Sequence, residues 1–328
     1  MRIALLFGVT LLQAVAWRDP SPHEVRRVSV EEGVQLEVLD WGGSGRAVVL
    51  LTGSGNTAHV YDEFARKLAD CCHVFAITRR GFGHSSHPET GYGDQRLADD
   101  VLAVLDALRI EAPVLVGHSM AGSELTTVGR QHSSRIAGLV YLDAGADPKD
   151  FPWSDPRYRG AVEKMGSLKP PPPSALAAKR KASYAAYREW QKQAGGIVFG
   201  EAEVRNMYEF MPDGSIGAYR TAQSIRDAID AGSVKRDYTG IAVPVLSIFA
   251  MPKPPEDRWR DETAEYRAAA ETEHTILLAF LARYRNSLLD AVPGARVLEW
   301  PGANHYVYLS NEADTLKELR AFIAALGG

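Results

Sequence analysis

Ser119 is the residue of this chain best placed to do covalent chemistry. It lies in Val114-Leu115-Val116-Gly117-His118-Ser119-Met120-Ala121-Gly122, where a short apolar run gives way to small residues and then to a helical pattern. A serine at such a strand-to-helix turn is pushed out of the backbone at the carboxyl end of a sheet, and small neighbours permit the cramped turn. The helix that follows puts its positive N-terminal end beneath the hydroxyl. A serine hydroxyl attacks only when a base takes its proton, which calls for an imidazole of near-neutral pK. Nine histidines compete for that role. His118 is too close to Ser119 along the turn to aim at it. His59, at a helix start, and His274, within a helical stretch, are expected to be solvated or packing residues, and His84 and His87 to lie at the surface. Glu124, on the first turn after Ser119, is expected to partner the helix dipole.

Positioning such a serine takes a sheet. Val28-Ser29-Val30 and Val34-Gln35-Leu36-Glu37-Val38 alternate apolar and polar, as a half-exposed antiparallel hairpin should. Ala47 to Leu51, Val74 to Ile77, Val114 to Val116, Ile136 to Leu142, Val243 to Phe249 and Val297 to Trp300 are instead continuous apolar runs, suited to strands covered on both faces. Between them, Phe64 to Leu68, Leu97 to Leu108, Gly122 to Gln131 and Ala313 to Ala325 carry apolar residues at helical spacing. Strand alternating with helix predicts a parallel sheet wrapped on both sides. The alternation stops between Asp147 and Thr239, a stretch holding Pro170-Pro171-Pro172-Pro173 and a helix-forming run from Ser174 to Gln193. Because the sheet pattern resumes at Val243, residues 147–239 are expected to be a helical cap inserted into one sheet domain made of 17–146 and 240–328. A second independent domain is the alternative.

These features resemble the α/β-hydrolase superfamily in its order of motifs, from about Val25 to Phe322. The Ser119 turn resembles that superfamily's nucleophile elbow, Gly-x-Ser-x-Gly, with Ala121 at the fifth position and glycine one place later. Val49-Leu50-Leu51-Thr52-Gly53-Ser54-Gly55-Asn56 resembles its oxyanion loop, with Thr52 where histidine is usual. The resemblance implies that the backbone N–H groups of Ser54 and Met120 form the oxyanion hole, and that the loop is supported differently from the usual case. Gly53, Tyr61 and His118 are expected to line the substrate site. Thr78-Arg79-Arg80-Gly81-Phe82-Gly83-His84-Ser85 resembles the Asp-x-Arg-Gly-x-Gly-x-Ser loop, with threonine for aspartate, and Arg80 and the glycines are taken as scaffold. The same likeness implies a mostly parallel, eight-stranded sheet flanked by helices, and a base after the last strand, where His305 stands.

The acid is where the chain departs from the superfamily. The usual site, after the penultimate strand, reads Ala250-Met251-Pro252-Lys253-Pro254-Pro255, with no carboxylate before Glu256 and Asp257. Asp143, at the end of the strand that follows the elbow helix, is the preferred alternative, because some relatives draw their acid from that strand and geometry is the first requirement of an orienting group. Asp257 remains open.

Composition narrows the partners. Of 328 residues, 45% are apolar and 24% charged, which excludes wholesale disorder, and a net charge of −4 without clustered basic residues argues against a nucleic-acid binder. Cys71 and Cys72 are adjacent and offer neither a disulfide framework nor spaced zinc ligands, so no structural metal is indicated, and the chemistry calls for no cofactor. Met1-Arg2, the apolar run Ile3 to Leu12 and Ala14-Val15-Ala16 have the order of a secretory leader. That run is too short to span a bilayer. Residues 1–16 are therefore expected to be cleaved, leaving a periplasmic or secreted protein without membrane insertion; a short buried or disordered N-terminus in a cytoplasmic protein is the alternative. Relatives that open epoxides or cleave carbon–halogen bonds use an aspartate nucleophile, so the serine here implies acyl transfer to water. The expected substrate is a small carboxylic ester. Eleven aromatic residues within 147–239 favour an apolar or aromatic one, although Tyr184, Tyr187 and Trp190 serve equally as packing. Lactone, thioester, amide or carbon–carbon cleavage, and ligand binding without catalysis, stay open.

Overall fold

The computed structural model describes residues 17–168, 179–253 and 261–327. The leader, the proline run and Asp257 lie outside the described residues. Strands β1 (Glu24–Glu31) and β2 (Val34–Gly42) form the hairpin that the alternating residues predict. Then come β3 (Ala47–Leu51), α1 (Asp62–Leu68), β4 (His73–Thr78), α2 (Asp94–Leu108), β5 (Val114–His118), α3 (Gly122–Gln131) and β6 (Gly138–Leu142). The eight-stranded sheet has the order β1-β2-β4-β3-β5-β6-β9-β10, with β9 at Val245–Met251 and β10 at Arg296–Pro301. Only β2 runs against its neighbours; every pairing from β4 to β10 is parallel.

Side-chain alternation along each strand builds a core layer on each face of this sheet. On β5, Leu115 points to the layer that holds Leu125 and Val128 of α3, while Val114 and Val116 point to the layer of Phe64 and Leu68 on α1. Both layers exclude water, which is why the central strands are unbroken apolar runs. The chain crosses from β3 to β4 on one side and returns to place β5 on the other. The carboxyl ends of β3 and β5 therefore flank a switch point of the sheet, where open α/β folds bind ligands.

Two excursions cover that end. The first, after β6, holds α4 (Pro156–Leu168), α5 (Tyr184–Ala194), α6 (Glu201–Met207), the hairpin strands β7 (Tyr208–Phe210) and β8 (Ile216–Tyr219), and α7 (Gln223–Gly232). The second is α8 (Ala264–Ala291), a 28-residue helix between β9 and β10 that packs along α4. Only the first is legible in the sequence pattern, because the apolar residues of α8 are not gathered on one stripe. The chain closes with α9 (Val307–Ser310) and α10 (Glu312–Ala325). Among the described residues no helix is long and apolar enough to cross a membrane.

Candidate active site

Ser119 follows β5 directly, with a φ of 56°, in the left-handed region that side chains other than glycine rarely adopt. Such strain, of order 1–3 kcal/mol, persists only where the surroundings over-determine it. Here the surroundings are close. A Cβ on Gly53 would lie 3.1 Å from Ser119 Cβ, and one on Gly122 would lie 2.1 Å from the Ala144 carbonyl. Ala121 is fully buried, so the glycine displaced by one place serves the contact with the loop after β6.

Three side chains from three strand ends form a hydrogen-bonded chain. Ser119 Oγ lies 2.9 Å from His305 Nε2, and His305 Nδ1 lies 2.6 Å from Asp143 Oδ2. A carboxylate only accepts, so Nδ1 carries the proton and Nε2 is left to accept from the serine hydroxyl. Asp143 also has a positive φ, 45°, and its Oδ1 accepts from the Ala250 N–H at 2.9 Å. β9, which lacks a carboxylate at its end, thus holds by its backbone the carboxylate that β6 supplies. The imidazole of His305 is 48% exposed, so water reaches it.

Gly53 and Ser54 follow β3, and Ser54 is exposed at the loop's tip. The loop's support differs from the histidine-based kind, as the Thr52 departure implies. Arg79 donates to the Thr52 carbonyl at 2.9 Å and forks onto Glu124 at 2.6 and 2.7 Å, all three residues being buried. Glu124 therefore partners an arginine rather than the helix dipole alone. Glu203, on α6, is completely buried and accepts from Asn56 Nδ2 at 2.8 Å, from the Thr57 N–H at 3.1 Å and from the Thr57 hydroxyl. Burial pushes its carboxyl up to about 7, against the lowering effect of those hydrogen bonds from Thr57 and Asn56. Tyr306 donates to Asn56 Oδ1 at 3.1 Å. Neither Glu203 nor Arg79 stands out in the sequence, since no periodicity marks a polar side chain that crosses from a distant segment.

The expectation that Gly53, Tyr61 and His118 line the substrate site is corrected. Tyr61 is fully buried and donates its hydroxyl to the Leu51 carbonyl at 2.8 Å. His118 is 1% exposed, and burial, reinforced by the neighbouring His305, holds its imidazole well below the usual 6.5. Its neutral ring donates from Nε2 to the His305 carbonyl at 3.0 Å, which fixes the backbone of His305. Gly53 packs against the His118 ring, where an added Cβ would come within 2.7 Å of Nδ1. Of the two roles expected for His59, packing and solvation, its burial fits the first. His84 and His87 are exposed, and Arg80 is buried and forked onto Asp100 at 2.6 Å, as its scaffold reading anticipates.

A cavity of about 490 Å³ opens on the relay. Ser119, Asp143, Asp147 and His305 are its polar lining, and Ala146, Phe151, Leu277, Phe280 and Leu281 its main apolar lining. That apolar lining comes from the loop after β6 and from α8, whereas Tyr187 and Trp190 pack on each other within the first excursion, with Tyr208 against Tyr187. A larger depression of about 820 Å³ lies around Ala47 and His73, at the amino ends of β3 and β4, and holds no nucleophile–base pair.

Residues 48–318 match the sequence model of the alpha/beta hydrolase family. The chain is 24% identical over 306 residues to a 2-(acetamidomethylene)succinate hydrolase of Mesorhizobium japonicum, covering 92% of this chain and 95% of that protein. It is 34% identical over 118 residues to the non-heme chloroperoxidase CPO-A1 of Kitasatospora aureofaciens, a match that spans 35% of this chain and only 42% of that relative. Among solved structures, E-2-(acetamidomethylene)succinate hydrolase aligns with a TM-score of 0.64 at 21% identity, over 92% of this chain and 99% of that one. The enol-lactonase from Burkholderia xenovorans LB400 aligns with a TM-score of 0.57 at 22% identity, over 90% and 99%. At such identities the structural likeness is one of fold.

Proposed function

The chain belongs to the alpha/beta hydrolase family, and from that premise we propose that it is a serine hydrolase that cleaves a small carboxylic ester through an acyl-serine intermediate. The observation that carries this reading is the unbroken chain from Ser119 through His305 to Asp143 in the lining of a mainly apolar cavity. His305 Nε2 takes the hydroxyl proton as Ser119 Oγ attacks the carbonyl carbon, and the negative oxygen turns to the backbone N–H groups of Ser54 and Met120. The imidazolium, steadied by Asp143, then protonates the leaving alcohol. Water reaching the half-exposed ring reverses the sequence and frees the acid. Phe151, Leu277, Phe280 and Leu281 favour an uncharged aliphatic or aromatic group beside the reacting carbon, and the cavity's size suits a small molecule.

A fluorophosphonate probe tests the nucleophile. Wild-type protein is expected to be labelled at Ser119 and the Ser119→Ala variant not at all. An unlabelled Ser119 in folded wild-type protein overturns the catalytic reading and leaves ligand binding. A panel of aryl esters, alkyl esters and lactones of graded length then defines the bond and the chain that the cavity takes. Export by the leader is part of the proposal: purified mature protein should begin near Trp17, and a retained Met1 refutes it.

A further inference from the structure

Away from the relay, four side chains from two separate stretches converge. Asp19 and His23 come from the segment that leads into β1, His59 from the short turn Ala58–Tyr61 that follows the Gly53–Asn56 loop, and Asp62 from the first position of α1. One nitrogen or oxygen from each lies within 4.8 Å of all the others. His23 Nδ1 is 3.0 Å from Asp62 Oδ1, and His59 Nδ1 is 3.0 Å from Asp19 Oδ2 and 3.5 Å from Asp62 Oδ2. Both imidazoles are almost wholly buried.

Two observations point to a ligand for this cluster. His59 Nδ1 and Asp19 Oδ2 are at hydrogen-bond distance, yet both are buried and neither makes a hydrogen bond among the described residues. They are close without the alignment of a regular hydrogen bond. Secondly, the only ion-pair partners of Asp19 and Asp62 among the described residues are these two histidines; no lysine or arginine pairs with either. Ligation requires neutral imidazoles, so a binding ion displaces any proton the rings carry; two carboxylates are then balanced by one divalent cation, and the complex carries no net charge into a largely buried site.

We propose that Asp19, His23, His59 and Asp62 bind a structural divalent ion of the zinc type. Two imidazole nitrogens and two carboxylate oxygens suit zinc, whose structural sites are four-coordinate and filled by protein ligands. Glu37 Oε2 lies 3.8 Å from His59 Nε2, beyond hydrogen-bond distance, and adds negative charge beside that ring. The ion clamps the segment before β1 to the turn that follows the loop carrying Ser54. Cysteine spacing, the usual sign of such a site, could not disclose it, because the ligands are Asp-x3-His and His-x2-Asp pairs that only the fold brings together.

The test uses purified protein stripped with a chelator. Wild-type protein is expected to take up one equivalent of Co²⁺ with the visible absorption of a tetrahedral site, to lose that band to Zn²⁺, and to melt at a higher temperature with Zn²⁺ than without. Asp19→Asn and His23→Gln, neither of which touches the relay, should each weaken Zn²⁺ binding by at least about 100-fold. His305→Gln should leave the Co²⁺ band unchanged, which separates this site from the relay. If wild-type protein takes up no stoichiometric metal, or if binding survives both Asp19→Asn and His23→Gln, the proposal is wrong. Should a variant fail to fold, the wild-type stoichiometry and spectrum still decide.

Discussion

Asp143 Oδ2 accepts a 2.6 Å hydrogen bond from His305 Nδ1, and it does so from the end of β6, two strands away from the β10 end that precedes His305. The intervening strand β9 donates the Ala250 N–H to the other carboxylate oxygen. The carboxylate is therefore held at both oxygens, one by His305 and one by the sheet. Its backbone is held as well, since the Asp143 N–H donates to the Ile248 carbonyl at 2.8 Å.

Asp143→Asn keeps the size of this side chain and removes the charge that fixes the imidazole's tautomer. The expected result is a loss of about 10⁴-fold in kcat on an aryl ester, by analogy with the serine-protease aspartate, with KM little changed. Asp257→Asn should cost less than about tenfold by the same comparison. Equal, mild losses from both substitutions would remove Asp143 from the relay.

Gly53→Ala probes the loop that carries Ser54. The added methyl would stand 2.7 Å from His118 Nδ1 and 3.1 Å from Ser119 Cβ. Neither neighbour yields easily, since His118 is bonded to the His305 carbonyl and Ser119 is held in a left-handed turn. The loop must shift instead, and the Ser54 N–H with it. Removing one oxyanion donor costs about 10²–10³-fold in kcat, so a displaced donor should cost about 10- to 100-fold. Wild-type turnover in the folded variant would mean that Ser54 is not a donor.

Ser119 and the loop at Gly53 are legible in the sequence because both are local: a buried strand must end in small residues before the backbone can turn sharply. Asp143 is legible only as the end of such a strand, and its pairing with His305 depends on sheet order, which the pattern of apolar runs does not state. The roles of Tyr61 and His118 are misjudged for a related reason. Their places in the chain are close to the site, but each side chain is directed by a carbonyl, of Leu51 and of His305, that the fold brings up from elsewhere. Arg236 is missed altogether. It is buried beside Gly122 and donates to the carbonyls of Ala144 and Ala146, the latter at 2.6 Å, and so shapes the loop that leaves Asp143. Buried polar contacts between distant segments leave no period in the chain.

Glu203 gives the clearest pH prediction. Burial raises its carboxyl from 4.5 to about 7 in the folded protein, the hydrogen bonds from Thr57 and Asn56 only partly opposing it. The unfolded chain releases this proton near pH 4.5 and the folded one only near 7, so between those values the folded state binds more protons and stability falls as pH rises. At 1.36 kcal/mol per unit the loss is about 3 kcal/mol, complete once the pH passes the folded value. Glu203→Gln retains an oxygen to accept from Asn56 and the Thr57 N–H, and a neutral amide that does not titrate. The variant and the wild type should then have similar unfolding free energies at pH 5, and the variant should be the more stable by about 1–3 kcal/mol at pH 8. Denaturant unfolding at intervals across that range measures the difference, and the comparison cancels every group common to both proteins. Parallel stability curves would show that Glu203 does not change its protonation there. Turnover offers a separate readout, because a loop still hydrogen-bonded to residue 203 should keep the Ser54 N–H in place and kcat within about tenfold of wild type, below the cost of a lost donor.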